Sequence, residues 1–562
     1  GDGSTDIIQS SNNSGIIQYQ IWINNNSKTY LMKNITNSLG GTISVDYKKS
    51  TSLNNTGSDD LSDLGFNVWV VSNLTFDNGI QGSQKVTSIV YYNYSGGTYN
   101  YSVNEFRGFS YAEEKTNSKL IKHWFNQGEG VKSTEYRTEV YDLFNNLYKQ
   151  VYNNFIVSNI SGYYILKLLS TETYSYDGIA NNPKVNNVTF SYDSYGNVLS
   201  VNNLGDVAKQ GDEKYEFYTY LVNTSVWIVD KPQSYSLFDY DNITEPRRTY
   251  YSYDLQDYLQ PPLKGSITSK DEWIGGNQYA RTLFNYNSNG NIKNNANPNY
   301  QFTYYFYDTT NTFINKIRNA QFQEKHYFYD LGTGNIISET DFNSNIINYT
   351  YDLFGRLISK IDSYDSISFP TQSYSYNFNS SLSNLIKIRY RENSGINNTF
   401  DQLYFYDGFG NLIQTKYESD KGNQSIINLY YDSDGRLDIQ SNPYFVVSSE
   451  NYISPSSNIN FTNYTYDPLD RVVRQINPDK TYKIINYTHW NISVIDENNH
   501  LKDYQLDAYN QIISINEHDL STTYATNYSY DASGSLLLIR DSKGNLFNYT
   551  YDKLGRKITS ND

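Results

Sequence analysis

A chain of 562 residues is too long for one hydrophobic core, so it must form several domains or one structure that grows by repetition. Tyr occurs 60 times and Phe 26 while Cys is absent, which excludes disulfides, Cys-ligated zinc and thiol nucleophiles and leaves aromatic packing to build the core. A net charge of −15 without a basic patch disfavours a nucleic-acid partner, and 16% aromatics disfavour disorder.

The chain begins at Gly1 to Asp6 without the basic and apolar regions of a signal peptide, and reads as a processed or excised piece. No stretch reaches the roughly 18 apolar residues of a membrane span, so none is expected in this chain. Residues 1–140 read as an irregular, β-rich lead-in. It contains Glu105-Phe106-Arg107-Gly108-Phe109, then His123-Trp124-Phe125-Asn126-Gln127-Gly128, then Tyr136-Arg137-Thr138-Glu139-Val140-Tyr141-Asp142. Arg107, flanked by aromatics, is expected to be a stacked or paired structural residue.

Residues 141–562 read as a repeat wall. A Tyr-Asp unit appears loosely at Tyr192 to Val198, and residues 205–275, with Pro232, Pro246, Pro261 and Pro262, form a less regular stretch. A degenerate copy follows at Phe284 to Asn291, then Asp308 and Asp330, the latter within Tyr329 to Ile336. The clear copies are Tyr351-Asp352-Leu353-Phe354-Gly355-Arg356-Leu357, Tyr406-Asp407-Gly408-Phe409-Gly410-Asn411-Leu412, Tyr431-Asp432-Ser433-Asp434-Gly435-Arg436-Leu437 and Tyr551-Asp552-Lys553-Leu554-Gly555-Arg556-Lys557. Looser ones hold Asp467 (Tyr466 to Val472), Asp507, and Asp531 with Gly534 (Tyr530 to Leu536). The spacing is roughly 21 to 22 residues.

The unit has a mechanical reading. Alternation before each Asp, as in Asn348-Tyr349-Thr350-Tyr351, puts the Tyr pair on one face of a strand. The Asp oxygen then accepts amides ahead of it, the Gly three residues on takes a positive φ, and Arg356 to Ile361 is the return strand. A second turn lies half a period away, as at Asp341 to Asn345 and Asp541 to Asn545. Such hairpins make a continuous antiparallel meander whose twist winds it into a tube or shell.

These repeats resemble the Tyr-Asp (YD, or Rhs) repeats of bacterial Rhs proteins, insecticidal toxin-complex cocoon subunits and animal teneurins. The lead-in from Glu105 to Asp142 is similar to the segment that precedes the repeats in toxin-complex shells. The resemblance implies a hollow β-sheet shell. In the bacterial relatives the shell encloses a C-terminal toxin released by an aspartyl autoprotease, and in teneurins it is an extracellular adhesion scaffold. No protease motif or cargo follows Asp552 in this sequence.

Little in the sequence points to a reactive site. His123, His326, His489, His500 and His518 are dispersed and share no metal-ligand spacing, and Asp541 to Asn545 lacks the later Glu of a calcium loop. No Gly-x-Ser-x-Gly elbow or phosphate-binding loop is present, so no enzyme and no cofactor are expected. Tyr91-Tyr92-Asn93-Tyr94 and Tyr304-Tyr305-Phe306-Tyr307 have the rings to stack on sugars, but cross-strand packing is the expected use. Asn-x-Ser/Thr sequons at Asn34, Asn73, Asn93, Asn348, Asn463, Asn486, Asn527 and Asn548 are candidate N-glycosylation sites.

Two readings follow. The first is an extracellular or cell-surface YD-repeat scaffold forming a shell, stalk or filament, with self-association or further repeats as partners. The alternative is the encapsulating part of an Rhs- or Tc-type toxin-delivery protein whose protease and cargo lie outside this chain.

Overall fold

The computed structural model describes residues 7–13, 16–22, 31–379 and 383–561; Gly1 to Asp6 and Asp562 lie outside them. Among the described residues every regular element is a strand, apart from single 3-10 turns at Ser50–Ser52, Gly82–Gln84 and Asp420–Gly422. Ile7–Asn13 pairs with Ile16–Trp22 as a separate hairpin. From Asn34 onward the strands pair antiparallel with their neighbours in sequence through Lys557–Asn561, except at Tyr444–Val447. The expected meander is therefore one ribbon. Strand Glu135–Tyr141 pairs with both Leu120–Phe125 and Leu147–Ile160, so the lead-in joins the wall within one sheet.

The ribbon forks once. Strand Asn423–Tyr431 pairs through its first half with Tyr444–Val447 and through its end with Leu437–Ser441, which goes on to pair with Phe461–Tyr466. The segment between, residues 448–460, crosses the sheet as a strap. Gln414 Nε2 donates to the Ile453 carbonyl at 2.6 Å, and the Lys416 ammonium reaches the Ser449 carbonyl at 3.1 Å. Beneath the strap lies the main apolar cluster, Ile80, Leu403, Phe405 and Ile413, with Tyr452 packed on it. Loops also cover the sheet at residues 50–66, where Asn55 and Leu64 are buried beside Gly97, and at 254–266, where Tyr258 packs on Tyr250.

The stretch 205–275 is irregular in its loops and regular in its pairing. Strands Lys214–Asn223, Ile228–Phe238, Arg247–Tyr253 and Ile267–Gly275 continue the ladder in order. Pro232 sits opposite Tyr220 at a register shift, where the missing N–H costs least. Pro261 and Pro262 lie in the loop 254–266, which the Asp254 carboxylate ties together by accepting the amides of Leu263, Lys264, Gly265 and Ser266 at 2.7 to 3.0 Å.

The repeat turns and the seam between passes of the ribbon

Each Tyr-Asp turn is built around its carboxylate. Asp352 Oδ1 accepts the amides of Phe354 and Arg356, both at 2.9 Å, while Gly355 takes φ +76°. Asp407, Asp432 and Asp552 do the same, with Gly410, Gly435 and Gly555 at φ +86°, +80° and +79°. Asp531 accepts the Ser535 amide at 2.7 Å ahead of Gly534, at φ +83°. The Asp467 turn has Asp470 in the left-handed position at φ +62°, and the Asp330 turn is one residue longer, with Gly334 at φ +77°. Burial pushes the Asp352 carboxyl up, but the amides and Arg356 outweigh it and hold it below its ordinary value.

The structure adds two links that sequence reasoning missed. Arg356, expected only as the start of a return strand, folds back so that its Nε donates to Asp352 Oδ2 at 2.7 Å. Arg436, Arg471 and Arg556 close their own turns identically, onto Asp432, Asp467 and Asp552 at 2.8, 2.7 and 2.6 Å. The same guanidinium groups stack on a ring of the next hairpin: Arg356 over Tyr376 at 4.5 Å, Arg436 over Tyr466 at 4.7 Å, Arg471 over Tyr487 at 4.0 Å. The Tyr at this position donates its hydroxyl backwards whether or not an Arg stacks on it. Tyr376, Tyr431, Tyr466 and Tyr530 reach the carbonyls of Leu357, Leu412, Leu437 and Ile512 at 2.9, 2.9, 2.5 and 2.9 Å. At Tyr376 and Tyr466 one ring is at once a stacking platform and a donor to the repeat before it. The periodic Tyr, Arg and Leu were the available signal.

At the Tyr of each such turn the ladder also slips by one residue. Tyr351 pairs with Leu357 while Thr350 pairs with Ser359, leaving Ile358 as a bulge, and the slip recurs at Tyr329, Tyr406, Tyr431, Tyr466, Tyr530 and Tyr551. Bulges bend a strand and increase its twist. After enough of them the ribbon meets itself.

The meeting is edge to edge. Along residues 407–555 the Tyr-Asp turns sit on the opposite edge of the first pass, between residues 37 and 247, in the same order. Asn37 Nδ2 donates to the Gly408 carbonyl at 2.6 Å, and the Gly408 amide donates to the Asn78 carbonyl at 2.8 Å. Thr116 donates to Asp434 at 3.1 Å, and Lys119 reaches Asp470 at 2.5 Å. Arg471 pairs with Asp177 at 2.8 Å, the Tyr509 hydroxyl donates to the Asp212 carbonyl at 2.6 Å, and the Ala532 amide donates to Asp239 at 2.6 Å. Lys553 closes the series on the Glu245 carbonyl at 2.7 Å. The partners are 293 to 371 residues apart. Backbone bonds across this seam are few, so side chains carry it. Burial pushes the Asp177 and Asp239 carboxyls up from their ordinary values, against the pull of Arg471 on Asp177 and of the Ala532 amide on Asp239. Cavities of about 400, 460 and 380 Å³ line the seam beside Asp434, Arg471 and Tyr509.

The remaining expected residues fall as follows. Arg107 is buried and paired with Glu129 and, at 3.3 Å, with Glu105. The five His stay dispersed, and among the described residues no group of three His, Cys, Asp or Glu side chains converges on one point. Asn34, Asn93, Asn348, Asn486, Asn527 and Asn548 are exposed and Asn73 is half-buried. Asn463 differs, with its Oδ1 buried and without a hydrogen-bond partner. Among the described residues no helix is long and apolar enough to cross a membrane.

Comparison with known proteins begins at the front of the chain. Residues 1–131 match a family described as the insecticide toxin TcdB middle/N-terminal region. The fold is that of solved toxin complexes. The TcdB2-TccC3-Cdc42 crystal structure superposes with a TM-score of 0.81 at 13% identity, covering 99% of this chain and 42% of that one. TcdB2-TccC3 itself gives 0.81 at 15% identity over 98% and 40%. The Photorhabdus luminescens Tc holotoxin pore carrying TccC3-D651A gives 0.79 at 13% over 99% and 42%. The chain therefore spans about two fifths of the solved chains it matches. No curated protein matches it in sequence.

Proposed function

We propose that this chain is part of the encapsulating wall of a Tc-type toxin-delivery protein, built from YD repeats and acting outside the cell that makes it. The observation that carries the reading is the seam: the Tyr-Asp edge of the second pass rests on the opposite edge of the first, which turns a ribbon into an enclosure. The matching fold of the TcdB2-TccC3 structures and the TcdB match over residues 1–131 support the same reading. Its work is architectural. The repeat carboxylates are spent on their own turns and on seam partners, which favours a wall over an enzyme. Its partners are the remaining parts of such a complex.

Electron microscopy of the purified chain, alone and co-expressed with the rest of its gene cluster, tests this. Hollow particles that shield a co-expressed polypeptide from added protease are expected. Open ribbons or end-to-end fibres that leave that polypeptide digestible would overturn the reading.

A further inference from the structure

Lys416 lies beneath the strap at 0% exposure, in the middle of a cross-strand row: Lys387 opposite Leu403, Leu403 opposite Lys416, Lys416 opposite Ile426, and Ile426 opposite Tyr444. Its amino group donates to the Ser449 carbonyl at 3.1 Å and to the Asn451 carbonyl, and lies 5.3 Å from the centre of the Phe405 ring. Among the described residues no carboxylate pairs with it. The charged groups nearby are spent on one another. Lys387 pairs with Asp401 at 2.7 Å and with Glu450 of the strap at 2.5 Å, Arg389 pairs with Asp401 at 2.7 Å, and Glu418 accepts the Asp401 amide at 2.9 Å.

Two carbonyls suit the two N–H bonds of a neutral amine. An ammonium has a third, for which no oxygen is left, and a cation taken out of water without a counter-charge is costly. Burial accordingly pulls Lys416 down from the ordinary 10.5 to about 8. Its neighbours move the other way. Burial pulls Lys387 down and pushes Asp401 up, but in both the ion pairs outweigh it, and the bond to Asp401 raises Arg389. Burial raises Tyr430, Tyr444 and Tyr452. Each of these shifts carries the group away from neutral pH, whereas the shift of Lys416 carries it towards neutral pH.

The strap's other ties are neutral, apart from the Lys387–Glu450 pair. Gln414 donates to the Ile453 carbonyl and accepts its amide at 2.6 and 3.1 Å, Gln424 accepts the Ser449 amide at 3.0 Å, and Gln84 of the first pass donates to the Tyr452 hydroxyl at 2.9 Å. We propose that the strap is a pH-sensitive latch, held most firmly while Lys416 is neutral and loosened as pH falls towards neutrality, when the buried amine takes up a proton. Loosening uncovers the Ile80, Leu403, Phe405 and Ile413 cluster and frees Tyr452 from Gln84. The direction follows from linkage: the open strap lets water reach Lys416 and so binds the proton more tightly than the closed one. Closure is therefore strongest above 10.5, weakens as pH falls from 10.5 to 8, and changes little below 8. The latch belongs to the fork and does not depend on whether the wall encloses a toxin.

Hydrogen–deuterium exchange of the whole chain, read by mass spectrometry and corrected for the intrinsic exchange rate at each pH, tests the proposal. Peptides from residues 449–459 should open about tenfold more readily at pH 7 than at pH 9, while those from Ile346–Tyr351 and Leu357–Ile361 should not change. Lys416→Met, which cannot titrate, should abolish the difference, and Lys416→Arg, charged throughout, should leave the strap loose at pH 9. Equal opening at pH 7 and pH 9 in the unaltered chain would overturn the proposal. So would a difference that survives in Lys416→Met, or a strap in Lys416→Arg as well protected at pH 9 as in the unaltered chain.

Discussion

The amide of Gly41 donates to the carbonyl of Gly408 at 3.2 Å, so two glycines from opposite passes of the ribbon touch backbone to backbone. Neither has room for a side chain. A Cβ on Gly408 would lie 2.3 Å from the Gly41 nitrogen and 2.6 Å from the Asn78 carbonyl oxygen, and one on Gly41 would lie 2.5 Å from the Gly408 oxygen.

Gly408→Ala and Gly41→Ala should each destabilise the chain by about 1–3 kcal/mol, the range for forcing extra atoms into a close-packed contact. Gly128→Ala, whose Cβ would meet only Val131 at an ordinary 3.4 Å, is the control and should change little. Urea unfolding midpoints decide the matter, and equal losses for all three would show that the seam contact is unimportant.

The Asp352 carboxylate holds two amides and one guanidinium, so Asp352→Ala should cost about 1–3 kcal/mol. Asp352→Asn keeps the acceptor oxygen and should recover most of that loss. The same pair of changes at Asp432 should behave alike, since both turns have the same partners.

Removing the hydroxyls that fasten successive repeats tests a different link. Tyr431→Phe, which strands the Leu412 carbonyl, should cost about 1 kcal/mol. Tyr376→Phe and Tyr530→Phe lie far away along the ribbon, so the triple variant should lose close to the sum of the three. A strongly sub-additive result in chemical denaturation would argue against independent repeat-to-repeat links.

At the seam, Arg471 is shared between Asp467 and the buried Asp177. Arg471→Met leaves Asp177 facing an apolar group and should destabilise by about 3 kcal/mol, whereas Arg471→Met with Asp177→Asn should be milder. Limited proteolysis of residues 176–183 gives a local readout, with faster cleavage expected in the single variant.

Alkaline pH should unfold the wall. Burial, with neighbouring carboxylates or rings, raises Tyr94, Tyr174, Tyr235 and Tyr444 from the ordinary 10 to about 12. For Tyr174 the hydrogen bond to Glu172 is the leading cause. Because the folded chain holds these protons more tightly than the unfolded one, the stability they contribute is complete below about pH 10 and is lost as pH rises towards 12. Tyrosinate absorbance and circular dichroism followed together should change in one cooperative step; tyrosines that titrate fully before the strands melt would contradict this.

Much of this architecture was legible in the residues. Asp352 and Gly355 announce a turn because one supplies the acceptor and the other the positive φ, and the Tyr349-Thr350-Tyr351 alternation announces a two-faced strand. The Arg was visible at a fixed position, yet its fold-back onto the Asp needs the geometry of the closed turn, which spacing alone does not supply. The seam could not be read at all. Gly41 and Gly408 are ordinary glycines until the accumulated twist brings them together, and Asp177 and Arg471 carry no mark that they will meet.

The one-residue slip at each Tyr-Asp turn has a geometric corollary. If every hairpin contributes a fixed increment of bend, the number of hairpins needed to come full circle acts as a gauge for the girth of the vessel. Inserting one complete hairpin into the first pass would then not lengthen the wall. It would shift every later docking partner by one notch, so that the Asp434 turn missed Thr116 and met its neighbour instead.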